Sequence, residues 1–331
     1  MDDRDEIKKV LEENAFKYLP ESKRWWVKYL YHFSNIDNIV SILKCGNLYS
    51  RDYCKENQLM INENASEEVI SNTDQEVTKY VRLYFRPKTP TQYINEGFKP
   101  ISCRQFTGAH IPVPIFLVFR SLNVLAQENV RFSGTSLATK EMYLQSTLEE
   151  FKRIDFEKVY HDGAINPDED KNQIKKHRHA EVVVPHRLSL DYLDYIWCRS
   201  DADYTTLVNF LKDEKILDRY KNKIAINNSF ELFNMSDRAY VKRVSLSDVD
   251  VLMNIENPFE ARNTEITFDM KIGNFSKKWK CMIVEKKCGY KLDLSSLTEL
   301  INKIGEYRIT IYFGNELMHY GVWSSEDDLP F

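Results

Sequence analysis

Residues 29–46 read YLYHFSNIDNIVSILKCG, and they carry the clearest signals of local structure in the chain. The apolar and aromatic run Tyr29–Phe33 predicts a short buried strand. The sequence Ser34-Asn35-Ile36-Asp37 has the pattern of a capping box, which predicts a helix that starts with the serine at its N-cap. Apolar residues then recur at helical spacing until Gly46, which predicts the helix end. A strand therefore leads directly into a helix, and His32 lies near their junction.

Similar patterns predict further strands and helices on either side. The polar first 20 residues predict an amphipathic helix that ends near Pro20. Residues 80–86 alternate between apolar and polar, so their two tyrosines and two arginines are predicted on one strand face. Ala180–Pro185 is rich in β-branched residues and predicts a strand that the proline ends. Mixed strands and helices of this kind indicate an α+β fold.

Beyond about residue 220 the sequence changes to short alternating segments. We predict a β-rich C-terminal domain over residues 220–331, following an N-terminal helical extension (1–27) and a main domain (28–215). One helix is predicted near Ser295–Ile304. The strands are predicted at Tyr240–Leu246, Glu265–Ile272, Trp279–Glu285 and Arg308–Phe313.

Composition limits the function less than the motifs do. The 46 lysines and arginines against 50 acids give a formal charge of −4, so nucleic-acid contact would require local basic patches. The charged N-terminus has no signal-peptide core, and no apolar run is long enough to span a membrane. We therefore expect a cytoplasmic protein with no membrane partner. The six cysteines lack metal spacing and are expected to be reduced thiols.

Several large enzyme classes are excluded by the absence of their motifs. The sequence contains no Walker A loop, no G-x-G-x-x-G, no H-E-x-x-H and no G-x-S-x-G. The usual sequence evidence for P-loop NTPases, Rossmann oxidoreductases, zinc proteases and α/β-hydrolases is therefore missing.

Glu181 is the first residue that suggests chemistry, because a carboxylate is uncommon at the head of a buried strand. It could bind a ribose 2′-hydroxyl and act as a base. The cationic residues 175–179 before it would make the approach positive. The structural alternative is a strand-edge glutamate that is paired with one of those cations.

His32, Arg82 and Arg86 suggest binding of an anion. His32 precedes a helix N-terminus, where free N–H groups favour a phosphate. Two arginines on one strand face could grip a pyrophosphate bidentately, and Lys88 would extend that patch. The structural alternatives are a core histidine and a solvated strand face.

Three segments in this order resemble the DarT family of DNA ADP-ribosyltransferases. The first is Tyr31–Asn38 (YHFSNIDN), which is followed by Ile42-Leu43 and Gly46. The second is Tyr80–Pro90 (YVRLYFRPKTP) with Tyr93, and the third is Ala180–Val184 (AEVVV). Together they cover roughly residues 28–215.

The resemblance implies an ADP-ribosyltransferase-like split β-sheet core whose cleft binds NAD⁺ as a consumed cosubstrate, without a metal. Glu181 would be the catalytic residue. Because Asn57–Lys79 lacks the arginine found there in some members, Arg51, Arg82 or Arg86 would complete the active site. The residues implied in NAD⁺ binding are His32, Ser34, Asn38, Gly46 and Tyr84.

The resemblance also implies single-stranded DNA as the acceptor, within a toxin–antitoxin or phage-defence system. A D-R-H-G turn of some members is replaced here by Ser133-Gly134-Thr135-Ser136, so the modified base is expected to be guanine or thymine. A macrodomain antitoxin that removes ADP-ribose would be the partner. The residues implied in DNA contact are Ser133, Thr135, Ser136, Lys176 and Arg178.

Two alternatives stay open from the sequence. One is an ADP-ribosyltransferase that acts on RNA or protein. The other is a non-catalytic module that binds NAD⁺ or nucleic acid, which the altered loop and the missing arginine would permit. For the C-terminal domain, the sequence leaves DNA binding, partner binding and restraint of the enzyme open.

Overall fold

The computed structural model describes residues 4–59, 74–104, 109–138 and 143–326, and the chain divides into two compact units. The first unit comprises residues 1–94, 116–197 and 231–233, and the second comprises residues 95–115, 198–230 and 234–331. Both units mix helices with strands, which confirms the predicted α+β class.

The first unit is built on one large sheet and a small two-stranded one. Its helices are α1 (Arg4–Tyr18), α2 (Ile36–Cys45), α3 (Arg51–Glu56), α4 (Pro90–Asn95), α5 (Ser121–Leu125), α6 (Leu148–Lys152), α7 (Phe156–Val159) and α8 (Lys171–His177). Its strands are β1 (Tyr29–Asn35), β2 (Asn47–Tyr49), β3 (Tyr80–Tyr84), β4 (Pro114–Arg120), β5 (Arg131–Ser133), β6 (Glu181–Pro185), β7 (Arg187–Ser189) and β8 (Leu193–Cys198). Within the first unit, the strands of the large sheet follow the order β5-β6-β3-β1-β4-β8, while β2 pairs with β7.

The second unit is rich in strands, and two sheets enclose its core. Its strands are β9 (Ile224–Ile226), β10 (Tyr240–Leu246), β11 (Asp250–Glu256), β12 (Glu265–Ile272), β13 (Phe275–Met282), β14 (Gly289–Asp293), β15 (Glu306–Phe313) and β16 (Glu316–Ser324). Its helices are α9 (Asp201–Asp213), α10 (Leu217–Tyr220) and α11 (Thr298–Ile304). The sheets have the orders β10-β11-β14 and β13-β12-β15-β16, and alternate residues of their strands form one apolar cluster.

Short 3₁₀ segments connect several of these elements, at Glu21–Lys28, Gln75–Lys79, Ile101–Cys103, Leu190–Tyr192 and Pro258–Ala261. Within the described ranges, no helix combines the length and the apolarity that a membrane span requires. None of the six cysteines is joined in a disulfide.

The junction between β1 and α2 differs from the prediction by one residue. The strand continues to Asn35, which is the N-cap of α2 and makes no side-chain cap bond, so the predicted capping box is wrong. The reason is that Ser34 is buried in the strand, where its hydroxyl accepts a hydrogen bond from Asn38 Nδ2 at 3.2 Å. The predicted helix end is confirmed, because Gly46 has a φ of 70°.

Strand register brings residues from four distant segments into one row of the large sheet. Tyr31 of β1 lies opposite Tyr84 of β3, and Tyr84 lies opposite Glu181 of β6. On the other side of β6, Ser133 of β5 also lies opposite Glu181. Directly opposed residues project from the same face of a sheet, so this row places Glu181 between Tyr84 and Ser133.

Candidate active site

Glu181 is the centre of the site, and Arg82 holds its carboxylate with both arms of a fork. Arg82 Nε donates to Glu181 Oε2 at 2.5 Å, and Arg82 Nη2 donates to Oε1 at 2.6 Å. The backbone N–H of Leu137 also points to Oε1, at the longer distance of 3.4 Å. A bidentate guanidinium fixes both the position and the plane of a carboxylate.

The two partners of this pair differ in their contact with solvent. The Glu181 side chain is 0% exposed, whereas 29% of the Arg82 side chain is exposed. Burial by itself lowers the pKa of Arg82, but the adjacent Glu181 carboxylate outweighs it, and the net effect is to raise that pKa. A charged arginine therefore reaches from the surface to a buried carboxylate.

Tyr84 lies on β3, directly opposite Glu181, and His179 lies two residues before the start of β6. Both side chains are neutral. Burial, followed by the nearby Glu181 charge, raises the pKa of Tyr84 to about 12. His179 Nδ1 donates to the Lys175 carbonyl at 3.0 Å, while Nε2 accepts the Thr91 N–H at 3.2 Å. Burial also lowers the pKa of His179, so the expected positive contribution of this histidine is corrected.

His32 is neutral as well, and its tautomer follows from one contact. Its Nδ1 lies 3.3 Å from the Arg82 carbonyl, which can only accept, so Nδ1 carries the proton and Nε2 is the acceptor. Burial lowers the pKa of His32 to about 4. A neutral imidazole does not attract a phosphate by charge, so the site offers a hydrogen-bond acceptor here instead.

Ser34, Asn35 and Asn38 form a buried polar group where β1 meets α2. Their exposed fractions are 1%, 6% and 7%, respectively. The Asn35 Nδ2 group donates to Asp37 Oδ2 at 3.1 Å, but Asn35 Oδ1 has no hydrogen-bond partner within the part of the chain that the structure describes. A buried acceptor without a donor is uncommon in folded proteins and calls for an explanation.

Arg86 is not part of this site, which corrects the predicted pair of arginines on one strand face. The strand β3 ends at Tyr84, and Arg86 is only 2% exposed. Its Nε donates to the Pro87 carbonyl at 3.0 Å, and its Nη1 donates to the carbonyls of Val159, at 3.1 Å, and His161. The Arg86 guanidinium thus donates to backbone carbonyls and holds loops together. Burial lowers its pKa to about 10.

Three other predicted residues lie in separate surroundings. Arg51 is the first residue of α3, directly after the N-cap Ser50. Gly46 ends α2, where its N–H caps the last turn. Arg178 Nη2 donates to His161 Nδ1 at 2.6 Å and to the Gly163 carbonyl at 2.8 Å, so this arginine fixes a loop.

A cavity of about 540 Å³ is lined by four of the five residues implied in DNA contact. Those four are Ser133, Thr135, Ser136 and Lys176. The cavity is also lined by His177, one of the cationic residues 175–179 that the sequence indicated. Sequence patterns gave no signal for the other lining residues, which include Leu137, Tyr143, Gln145, Arg153 and Gln173. Aromatic, amide and cationic groups thus line the same cavity.

The cavity adjoins the Glu181 carboxylate through two of its lining residues. Ser133 lies directly opposite Glu181 in the sheet, and the Leu137 N–H points to Glu181 Oε1. Among the described residues, no group of three or more histidines, cysteines or acids is arranged to hold a metal ion. The arrangement is thus a buried carboxylate, an orienting guanidinium and an adjoining polar cavity.

The chain matches a known protein family. A family model described as "ssDNA thymidine ADP-ribosyltransferase, DarT" matches residues 31–231. The chain belongs to the DarT family. This confirms the resemblance that the sequence motifs indicated, and with it the enzyme class, an NAD-dependent ADP-ribosyltransferase.

Solved DarT structures are similar to this chain at low sequence identity. Thermus sp. 2.9 DarT in complex with carba-NAD⁺ is 18% identical with a TM-score of 0.46, covering 63% of this chain and 97% of its own. The same protein in complex with ADP-ribosylated ssDNA gives 18% and 0.46, covering 64% and 97%. Thermosipho africanus DarTG in complex with ADP-ribose gives 16% and 0.47, covering 71% and 58%. No curated protein sequence matches the chain.

Proposed function

We propose that this DarT-family enzyme transfers ADP-ribose from NAD⁺ to a base of single-stranded DNA, with Glu181 as the catalytic carboxylate. One observation carries the proposal: the buried Glu181 is held by Arg82 beside the cavity of about 540 Å³ that the loop Ser133–Ser136 lines. The family description names single-stranded DNA as the acceptor, which fits a polar cavity.

The reaction needs a carboxylate at the position that Glu181 occupies. The bond between C1′ of the ribose and nicotinamide breaks, and its electron pair leaves with the nicotinamide. The ribosyl cation that develops resembles that of glycoside chemistry, and a nearby carboxylate stabilises it. A base nitrogen then forms the new bond to C1′, and its proton passes to Glu181.

The Glu181 carboxylate can still accept a hydrogen bond from the ribose, even though it is bound to Arg82. Each carboxylate oxygen can accept two hydrogen bonds. Oε2 accepts one in the described part of the chain, from Arg82 Nε, so it can also accept a ribose hydroxyl. Arg82 would act as the positioning residue, and we assign it the arginine role in preference to Arg51 and Arg86.

The polar group at the start of α2 fits the nicotinamide end of NAD⁺. Asn35 Oδ1 is a buried acceptor with no donor among the described residues, and a carboxamide N–H would satisfy it. His32 Nε2 supplies a second acceptor beside Arg82. Ser34 and Asn38 would complete this pocket, and Tyr84 would lie between it and Glu181.

The acceptor base would enter the cavity of the Ser133–Ser136 loop. Lys176 lies there as the cation for a phosphate, and Ser133, Thr135 and Ser136 offer hydroxyl groups. The family description favours thymine, whereas the changed loop favours a different base, so guanine and thymine are the two candidates. Arg178, which fixes a loop, is left outside the acceptor site.

The acceptor is tested with oligonucleotides and mass spectrometry. The full chain is incubated with NAD⁺ and single strands that contain thymine or guanine within cytosine tracts, beside duplex DNA, RNA and protein. One added ADP-ribose on a single strand, absent with Glu181→Gln, is the expected result, and fragmentation identifies the base. Transfer only to RNA or protein, or equal transfer by the variant, would refute the proposal.

We also propose that the enzyme acts as the toxin of a toxin–antitoxin or phage-defence system whose antitoxin is a macrodomain hydrolase. Modified bases would block replication, so a cell that makes the enzyme needs a partner that removes ADP-ribose. Expression of the wild type, but not of Glu181→Gln, should arrest growth, and co-expression of a macrodomain ADP-ribosyl hydrolase should relieve the arrest. Growth that the wild type leaves unaffected would contradict this role.

A further inference from the structure

An aromatic cluster lies where β1 begins in the first unit, and none of its rings is used in the reaction above. It consists of Trp25, Tyr29, Tyr195 and Trp197, which we call the aromatic platform. Tyr195 and Trp197 are stacked with their centroids 5.5 Å apart, and Tyr29 meets Tyr195 at 6.0 Å. Trp25 meets Trp197 at 5.6 Å. The rings therefore hold one another in place.

The platform is open to solvent on part of its surface. Trp25, Tyr29 and Tyr195 are partly exposed, whereas Trp197 is buried beneath them. Core aromatic residues elsewhere in the sheet, such as Tyr31, are fully buried. Partly exposed rings with fixed positions offer π-faces on which an unpaired base can stack.

A positively charged cavity adjoins the platform. The Arg120 guanidinium lies 5.3 Å from the centre of the Tyr29 ring, and the same residue lines a cavity of about 300 Å³. The other charged residues of that cavity are Arg4, Lys8, Lys28 and Glu12. Asp194 pairs with Arg120 at 2.9 Å, so four cations face two carboxylates. The chain as a whole has a charge of −4, which makes this local excess notable for an anionic partner.

Strand register gives the spacing between the platform and Glu181. Tyr31 and Glu181 lie on strands that flank β3, each opposite Tyr84, so roughly 10 Å separates their backbones. Tyr29 precedes Tyr31 by two residues and projects from the same face, which brings its distance from Glu181 to about 12 Å. This is a span of a few nucleotides of an extended strand.

We propose that the aromatic platform stacks bases that flank the modified base, while the adjoining cavity binds a phosphate of the same strand. The inference rests on the proposed function for the identity of the strand. Stacking on protein rings requires bases that are free of a duplex, so the platform would select single strands. Trp25, Lys28 and Tyr29 precede residues 31–231, so this device lies partly outside the family match.

The stacking part is tested by binding of a fluorescent single-stranded oligonucleotide to the full chain without NAD⁺, measured by anisotropy. Tyr29→Leu keeps an apolar side chain but removes the ring, and the expected result is binding weakened about tenfold. Phe16→Leu is the matched control, because Phe16 is an exposed ring on α1 with Arg24 at 4.4 Å, and it should bind like the wild type.

The phosphate part is tested by the salt dependence of the same binding. Each phosphate contact to a single strand contributes about 0.7 to the slope of log K against log salt. Lys28→Gln should therefore reduce the magnitude of that slope by about 0.7. Lys28 is exposed, so this variant should fold even if the removal of Tyr29 disturbs the core.

Binding and transfer separate this inference from the proposed function. Weaker binding by Tyr29→Leu together with a smaller slope for Lys28→Gln supports the platform. Unchanged binding and slope in folded variants, while the wild type still modifies DNA, overturns the platform alone. Platform-dependent binding without any transfer overturns the proposed function alone. A wild type that binds no single strand overturns the platform as well.

Discussion

In the described part of each unit, an arginine pairs with a fully buried carboxylate, and the two pairs are built differently. In the first unit, Arg82 binds Glu181 through two hydrogen bonds, and 29% of the arginine side chain is exposed. In the second unit, Arg199 contacts Asp203 through Nε alone, at 3.2 Å, with side-chain exposures of 0% and 1%. In that second pair, Arg199 Nη1 and Asp203 Oδ1 have no hydrogen-bond partner in the described chain.

The difference supports the proposed role of the Arg82–Glu181 pair. Arg199 is also committed to the Pro112 carbonyl at 3.2 Å and to the Tyr240 ring at 4.5 Å, so its surroundings are closed and structural. Arg82 instead reaches from the surface to a carboxylate that adjoins a cavity. A buried pair therefore indicates a site when one partner remains accessible and the acid adjoins a cavity.

The largest expected effect is on the Arg82–Glu181 pair, which we call the accessible pair. Arg82→Gln removes the fork that orients Glu181, and we expect kcat/KM for transfer to fall by about a hundredfold or more, because a small misplacement of a catalytic group costs this much. Arg82→Lys should recover little of the loss, since an ammonium cannot bind both oxygens in one plane. The rates are measured by nicotinamide release and oligonucleotide mass.

Arg199→Lys is the control for Arg82→Lys, since it makes the same exchange in the Arg199–Asp203 pair, which we call the closed pair. It should change thermal stability more than the rate of transfer. Equal losses of rate from the two arginines, in proteins that are folded at the assay temperature, would mean that the accessible pair has no special role.

The closed pair should appear in stability instead. Arg199→Met leaves Asp203 buried without a counter-charge, and we expect the free energy of unfolding to fall by about 2 kcal/mol. This is less than the roughly 3–5 kcal/mol of a broken buried pair, because Asp203 can take up a proton. Arg199→Met combined with Asp203→Leu should cost less than the single change. Urea unfolding of both variants measures this, and a double variant that is less stable would contradict it.

The sequence predicted local structure well, because strands and helices follow from neighbouring residues. The bounds of β10 and β12 match the predicted strands Tyr240–Leu246 and Glu265–Ile272. Gly46 ends α2 as its freedom to adopt positive φ predicts. The family followed from three short motifs, which together preserve order and spacing.

The partners of the site could not be predicted in the same way. Arg82 and Glu181 are 99 residues apart, and only the register of β3 against β6 brings them together. Arg86 shares the alternation of Arg82 in the sequence, but β3 ends before it and the guanidinium turns to backbone carbonyls. The residues that line the cavity come from several loops, whose spacing carries no period.

The smallest expected effect is a pH dependence of stability that comes from Asp203 in the closed pair. Burial raises the pKa of Asp203 to about 6, from an ordinary value of 3.8, and Arg199 offsets this only in part. The folded state therefore binds a proton that the unfolded state does not between those two values, so stability from this group rises as the pH falls through 6 towards 3.8. Between pH 7 and pH 5 the gain is about 1 kcal/mol.

That gain is measured as a difference between the wild type and Asp203→Asn, because other groups titrate in the same interval. His319, whose pKa is lowered to about 4 by burial, destabilises the second unit on acidification in both proteins and so cancels. Urea unfolding at pH 7 and pH 5 should show the wild type improving by about 1 kcal/mol relative to the variant. A parallel response of the two proteins would mean that Asp203 stays ionised, and that the closed pair is as well compensated as the accessible one.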